Sequence, residues 1–148
     1  MAALLSQRSV AEIAREDRDF LSAPDRRVVL ASEESEDARS LVGFASVCWQ
    51  PQTWELRFVP DIAPEPELVK LYTLARTYGT GLGSALIEAA VGEHEAVYLW
   101  IMSGNERAER FYGRHGFHEV APRFAAEGSW AGQETYRMRR DRVVPGRS

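Results

Sequence analysis

The spacing of apolar residues along the chain predicts an alternation of strands and helices. Residues 8–21 carry apolar side chains at near-helical spacing, with charged residues between them, and predict an amphipathic first helix. The run from residue 96 to 102 is almost wholly apolar, which is typical of a strand covered on both faces. The predicted strands are Arg27–Ser32, Leu41–Gln50, Thr53–Val59, Leu68–Leu74, Ala96–Met102, Phe117–Val120 and Gln133–Arg139, and two more predicted helices cover Leu82 to about Glu93 and Glu106–His115.

The composition predicts one globular domain. The chain has 148 residues, 45% of them hydrophobic, so we expect a single domain over residues 1–148 with a flexible tail at 139–148. No stretch approaches the roughly 20 apolar residues of a membrane span, and Cys48 is the only cysteine. A cytoplasmic protein without a disulfide or a membrane partner is therefore expected. The net charge of −4 argues against nucleic acid as a partner, because phosphate contacts need clustered basic residues.

A glycine-rich turn lies between a predicted strand and a predicted helix. Gly79, Gly81 and Gly83 fall in this turn, and Ser84 follows them. In such a turn, successive N–H groups lie near the positive end of the helix dipole, which favours a phosphate or pyrophosphate ligand. The alternative is a tight turn that needs glycine for backbone geometry alone. A Walker A loop is disfavoured because no Lys follows the glycines, and a dinucleotide fingerprint because Ser84 takes the place of its last glycine.

Two motifs in the correct order resemble the GNAT superfamily of N-acetyltransferases. Segment 76–81, RTYGTG, is similar to the family's Q/R-x-x-G-x-G/A motif, and segment 105–117, NERAERFYGRHGF, is similar to its N-x-x-A-x-x-F-Y-x-x-x-G-F signature. The resemblance implies an α/β fold with flanking helices and a central mixed, mostly antiparallel sheet that contains a splayed parallel strand pair. It also implies acetyl-CoA as the cosubstrate. Only about 26 residues precede Arg27, so the family's N-terminal strand or first helix is expected to be absent or abbreviated.

The resemblance also implies where the cosubstrate binds. Main-chain N–H groups from Arg76 to Ser84 would hold the pyrophosphate, and the backbone of Leu74 would pair with the pantetheine arm. Asn105 would reach that arm, with a helix N-cap as its alternative role. Tyr78 stands where the family commonly has a basic residue or Gln, so one phosphate contact is expected to be missing. The implied cofactor-binding residues are Leu74, Arg76, Gly79, Thr80, Gly81, Leu82, Gly83, Ser84, Asn105, Ala108 and Phe111.

Two side chains are the candidate catalytic groups. Tyr112 matches the family's proton donor to the departing thiolate, with core packing beside Phe111 as its alternative. Family members often take the base from a Glu on or beside the motif strand, where Glu67 is our candidate and Glu65 and Glu55 are the others. All three acids would alternatively be solvated loop residues. No convincing nucleophile is present, which favours direct attack of the amine in a ternary complex.

The sequence predicts less about the site that binds the acceptor than about the site that binds the cosubstrate. We expect a primary amine of a small molecule or a peptide, and aromatic walls from Trp54 and Trp130 would suit a cationic amine. The abbreviated N-terminus leaves open a homodimer whose second subunit completes the site. No metal is expected, because His94, His115 and His118 lack accompanying Cys or carboxylate ligands. The alternative functions are a non-catalytic acyl-CoA-binding sensor or degenerate GNAT module and a binder of nucleotide phosphates.

Overall fold

The described part of the chain is built around one mixed β-sheet. The computed structural model describes residues 25–62, 64–92, 95–127 and 131–143. The strands are β1 Arg26–Glu34, β2 Arg39–Cys48, β3 Glu67–Thr73, β4 Val97–Met102, β5 His118–Ala125 and β6 Glu134–Arg140, and the helices are α1 Glu55–Phe58, α2 Leu82–Val91 and α3 Glu106–Arg114. These six strands follow the order β1-β2-β3-β4-β6-β5, with β3 and β4 parallel and the other neighbours antiparallel. Within the described ranges, no helix is long and apolar enough to cross a membrane.

One described segment differs in type from its prediction. The predicted strand Thr53–Val59 is wrong, because this segment forms a turn and then α1. The reason is the carboxylate of Glu55, which is fully buried and accepts hydrogen bonds from the Gln52 N–H at 2.5 Å and the Tyr98 hydroxyl at 2.9 Å. The first of these bonds folds the chain back over three residues, which an extended strand does not allow. The predicted helix over 8–21 lies outside the described residues.

Strand β4 is apolar throughout because both faces of the sheet are covered along it. Alternate side chains starting at Val97 pack with α2 and α3 in the main core. Side chains starting at Tyr98 point to the opposite face, where they contact Ile62 and Trp54 from the segment that follows β2. The two faces therefore have different surroundings, with the helices on one side and the α1 segment on the other.

Strands β3 and β4 are paired at one end only. Their single paired position is Glu67 with Tyr98, and the Tyr98 N–H donates to the Pro66 carbonyl at 3.1 Å. The register of β3 against β2 also shifts between Ser46 and Val47, which marks a bulge. Beyond the paired end the two parallel strands separate. This confirms the splayed pair and leaves an opening beside the C-terminal half of β3.

The C-terminal hairpin is longer than predicted. Strand β5 continues past Val120 to Ala125 although Pro122 lies inside it, because β5 is an edge strand with a register shift at this point. Arg139 and Arg140 belong to β6, and Arg140 is buried. The flexible tail predicted from residue 139 is therefore wrong for these two residues, and residues 144–148 lie outside the described residues.

Candidate active site

A pocket of about 510 Å³ lies between the C-terminal half of β3 and the helices α2 and α3. Its β3 wall lies beyond the position at which β3 pairs with β4, and none of its described lining residues belongs to β4. Its described walls are Leu71–Thr73 of β3, Thr77–Gly79 of the following loop, Gly81–Ser84 at the start of α2, and Asn105, Arg107, Ala108, Phe111, Tyr112, Arg114 and His115 from α3 and its ends.

The glycine-rich loop presents available N–H groups to this pocket. Gly81 is the N-cap of α2 and has a φ of +85°, a left-handed value that favours glycine. The hydroxyls of Thr77 and Thr80 donate to carbonyls three residues earlier, at 2.6 and 2.5 Å, and so close the preceding turns. Among the described residues, no backbone carbonyl accepts from the N–H groups of Gly79 or of residues 81–84. Five N–H groups are thus available to an anion near the N-terminus of α2.

Gly83 allows α2 and α3 to approach each other. A Cβ at this position would lie 3.0 Å from Cζ of Phe111, which is tighter than nine in ten real Cβ contacts. The missing side chain therefore makes room for the Phe111 ring. The same approach places the Ser84 hydroxyl 2.6 Å from Nε2 of His115. Asn105 begins α3, where its side-chain oxygen accepts from a backbone N–H three residues later at 3.1 Å.

Helix α3 supplies the positive charge of the pocket. Arg107 and Arg114 both line it, and no Asp or Glu does so among its described lining residues. The Arg107 guanidinium lies 3.8 Å from the centre of the Tyr78 ring. A cation from α3 thus stands beside the loop position at which a basic residue was expected to be missing. Sequence reasoning overlooked both arginines, although helical spacing would have found them because positions 107, 111 and 114 share one face.

Three of the predicted binding residues do not line the pocket. The Leu74 N–H donates to the carbonyl of Val42 at 2.9 Å, so this N–H is already engaged. The Arg76 guanidinium makes two hydrogen bonds to the Glu33 carboxylate of β1, at 2.9 and 2.8 Å. Thr80 closes a turn of the loop. These residues shape the loop that borders the pocket.

Tyr112 lies on the pocket face of α3. Its side chain is 3% exposed, and its ring packs edge-on against Phe111 at 5.2 Å and against Phe117 at 5.5 Å. Burial raises the pKa of the Tyr112 hydroxyl above its ordinary value, so the group keeps its proton at neutral pH. Tyr112 therefore packs in the core and also lines the pocket, where the proton donor predicted from the sequence would have to lie.

Glu67 and Glu55 form a buried acid pair at the paired end of β3 and β4. They are 1% and 0% exposed, so the alternative that they are solvated loop acids is wrong. Gln52 joins them, because its side-chain amide donates to Glu67 at 2.9 Å and its backbone N–H donates to Glu55. Burial and then the negative charge of Glu55 raise the pKa of Glu67 from 4.5 to about 7, and the hydrogen bond from Gln52 acts in the opposite direction.

Glu65, the third candidate base, is held by an arginine. Its carboxylate accepts two hydrogen bonds from the Arg139 guanidinium, at 2.9 and 2.6 Å. These bonds lower the pKa of Glu65 below its ordinary value. A carboxylate in this state takes up a proton poorly near neutral pH, which disfavours it as a base.

A second cavity, of about 630 Å³, lies next to the acid pair. Gln52, Trp54 and Cys48 line it, and Cys48 is paired with Glu67 across β2 and β3. The aromatic wall expected from Trp54 is therefore found beside the acid pair. Trp130, the other expected wall, lies outside the described residues.

No three His, Cys, Asp or Glu side chains come together as metal ligands within the described ranges. His115 contacts Ser84, and His118 is exposed at the start of β5. His94 lies outside the described residues.

Comparison with known proteins decides the family of this chain. The sequence model of the acetyltransferase (GNAT) family matches residues 3–117, which is more than half of the chain. The chain belongs to the GNAT family. No curated protein matches it by sequence.

Solved structures share the fold of this GNAT chain at low sequence identity. NAA60 of Arabidopsis thaliana, solved in complex with a bisubstrate analogue, matches with a TM-score of 0.64 at 16% identity, over 88% of this chain and 91% of that one. The spermidine N-acetyltransferase SpeG of Vibrio cholerae matches with a TM-score of 0.55 at 17% identity, over 89% of this chain and 75% of that one. At these identities the likeness concerns the fold.

Most of the cofactor-binding and catalytic residues predicted from the sequence line the pocket. Those that line it are Gly79, Gly81, Leu82, Gly83, Ser84, Asn105, Ala108, Phe111 and Tyr112. Glu67 does not line the pocket. It lies on β3, at the end where β3 pairs with β4. The lining residues outside the predicted cofactor-binding and catalytic residues are Leu71, Tyr72, Thr73, Thr77, Tyr78, Arg107, Arg114 and His115.

Proposed function

We propose that this GNAT protein transfers an acetyl group from acetyl-CoA to a primary amine. The observation that carries the proposal is the pocket beside β3. It combines five available N–H groups and two arginines with an apolar wall that leads to Tyr112. An anionic group with a long, mostly neutral arm suits such a site, and coenzyme A joins a pyrophosphate to a pantetheine arm.

The donor would be held mainly by backbone groups. The N–H groups of Gly79 and of residues 81–84 would bind the pyrophosphate, with Arg107 and Arg114 adding charge. Leu71–Thr73 would lie along the pantetheine arm, because this part of β3 lines the pocket beyond the paired end of β3 and β4. The thioester supplies an acetyl group that an amine can attack directly.

Tyr112 is the proposed partner of the departing sulfur. Its hydroxyl stays protonated at neutral pH because burial raises its pKa. A thiolate that forms in the same buried slot also has a raised pKa, so it gains from a nearby proton donor. Tyr112 therefore donates a hydrogen bond, and then a proton, to the sulfur.

Glu67 is the proposed base for the incoming amine. A general base works best when its pKa is near the working pH, and the pKa of Glu67 is about 7. We assign the acceptor to the second cavity, because Gln52 lines this cavity and donates to Glu67. The fold neighbour SpeG is named for acetylation of spermidine, which supports an amine as the acceptor class.

The test is release of coenzyme A thiol from acetyl-CoA in the presence of a panel of amines. The panel contains polyamines, amino acids and peptides with free N-termini, and the Tyr112→Phe variant serves as the matched control. We expect thiol release that depends on at least one amine and falls in the variant. Tight acetyl-CoA binding without amine-dependent release would instead favour a non-catalytic acyl-CoA-binding module.

A further inference from the structure

Ser84 and His115 join two walls of the pocket through a hydrogen bond that the proposed reaction does not use. Ser84 lies in the first turn of α2 and His115 directly follows α3. The Ser84 hydroxyl oxygen is 2.6 Å from Nε2 of His115. The other ring nitrogen, Nδ1, is 2.7 Å from the carbonyl oxygen of Phe111. Both residues line the pocket beside the available N–H groups of α2.

The carbonyl of Phe111 determines the direction of both hydrogen bonds. A carbonyl oxygen only accepts, so Nδ1 of His115 carries a hydrogen and donates it. In a neutral ring, Nε2 then has a lone pair and accepts from the Ser84 hydroxyl. The single hydrogen of Ser84 is directed at His115, and the hydroxyl offers only lone pairs to the pocket. This arrangement disfavours an anion next to Ser84.

Protonation of the ring reverses the bond. Nε2 of a charged His115 donates to the Ser84 oxygen, which frees the Ser84 hydrogen to turn toward the pocket. The ring also adds a positive charge to the same wall. We infer that His115 is a proton-coupled positioning residue of the donor site. Pyrophosphate binding favours the protonated ring, and the protonated ring favours pyrophosphate, by the same factor. This inference rests on the proposed function.

The charged groups around His115 agree with this coupling. Arg107 and Arg114 of α3 line the same pocket and add positive charge to it. On α2, Glu88 lies one turn after Ser84, but its carboxylate is paired with Arg140 of β6 at 3.3 Å. Among the described residues, no carboxylate is within ion-pair distance of His115. An anion in the pocket would therefore be the counter-charge of the ring.

The direct test is the number of protons taken up on binding, from calorimetry near pH 7 in two buffers with different ionisation enthalpies. The probe is acetylated dephospho-coenzyme A, because its pyrophosphate diester lacks the phosphomonoester that titrates near pH 6. We expect an uptake of roughly half a proton per bound probe, the value for a tenfold coupling between an anion and a histidine proton. His115→Gln is expected to bring the uptake close to zero. His118→Gln, an exposed histidine outside the pocket, is the matched control and should keep it.

The affinity for the same probe gives a second measurement. For the wild type we expect binding to be about sixfold weaker at pH 8 than at pH 6, and nearly constant for His115→Gln. Ser84→Ala should retain less than half of the wild-type proton uptake, because only direct charge attraction is left. Equal uptake in the wild type and His115→Gln, or unchanged uptake in Ser84→Ala, would overturn the inference and leave the proposed function standing. Absence of binding to the wild type at every pH would refute both.

Discussion

Replacing Glu67 with Gln tests the buried acid pair through the stability of the fold. Burial and the negative charge of Glu55 raise the pKa of the Glu67 carboxyl from 4.5 to about 7, and the side chain is 1% exposed. Each pKa unit corresponds to about 1.36 kcal/mol, so folding around the ionised carboxylate costs about 3 kcal/mol. An amide at this position has no charge to bury and keeps an acceptor oxygen for Gln52.

The pH range of the effect follows from proton binding. A carboxyl with a raised pKa in the fold binds its proton more tightly when folded than when unfolded. The contribution of Glu67 to the free energy of unfolding of the wild type therefore falls as pH rises from 4.5 to about 7 and levels off above that. The amide of Glu67→Gln does not titrate. We expect the stability of the variant relative to the wild type to rise by roughly 2 to 3 kcal/mol between pH 5 and pH 8.

The assay is urea unfolding of both proteins at pH 5, 6, 7 and 8, followed by tryptophan fluorescence. Glu65→Gln is the matched control, because the pKa of Glu65 is lowered by Arg139. The stability that Glu65 contributes is present above its unfolded pKa and is lost only as pH falls through the lowered value, so its effect should be constant from pH 6 to 8. A pH-independent difference between Glu67→Gln and the wild type would refute the raised pKa and weaken Glu67 as the base.

Three other substitutions test the pocket. Tyr112→Phe is expected to lower kcat at least tenfold and to leave the Kd for coenzyme A within about twofold, because only the hydroxyl is removed; an unchanged kcat with chemistry rate-limiting would exclude Tyr112 from the mechanism. Gly81→Glu should abolish coenzyme A binding in calorimetry, since it adds bulk and negative charge at a φ of +85°, and retained affinity in the folded variant would refute the loop assignment. Arg107→Ala should weaken coenzyme A binding about tenfold at low salt, whereas Arg110→Ala, on the same helix but outside the pocket, should not; an equal loss in both would indicate only a general charge effect.

Local pattern was sufficient for the elements that frame the pocket. The continuous apolar run ending at Met102 predicted β4, because a strand covered on both faces needs apolar side chains at every position. The glycines before α2 and the Asn105 cap before α3 are signals carried by a few adjacent residues. Such features depend on the backbone preferences of neighbouring residues, so they can be predicted from the sequence alone.

Contacts between distant segments were not accessible in the same way. The segment Thr53–Val59 alternates like a strand, but Glu55 turns inward to meet Tyr98 and Trp100, more than 40 residues further along the chain. The contact between Ser84 and His115 spans 31 residues and depends on how closely α2 and α3 approach. Neither contact produces a periodic pattern in the sequence. Each depends on how elements far apart in the chain pack together, and no short segment of sequence determines that packing.

The most direct test of the account is the response of individual backbone amides to coenzyme A, measured as ¹H–¹⁵N chemical shifts. We expect the largest changes at Gly79, Gly81, Leu82, Gly83 and Ser84, whose N–H groups donate to no backbone carbonyl of the described residues. These amides should also become protected from hydrogen exchange when the ligand is bound. The assignment of this pocket to the acyl donor would be contradicted if saturating coenzyme A left the chemical shifts of all five amides unchanged and altered those of residues elsewhere.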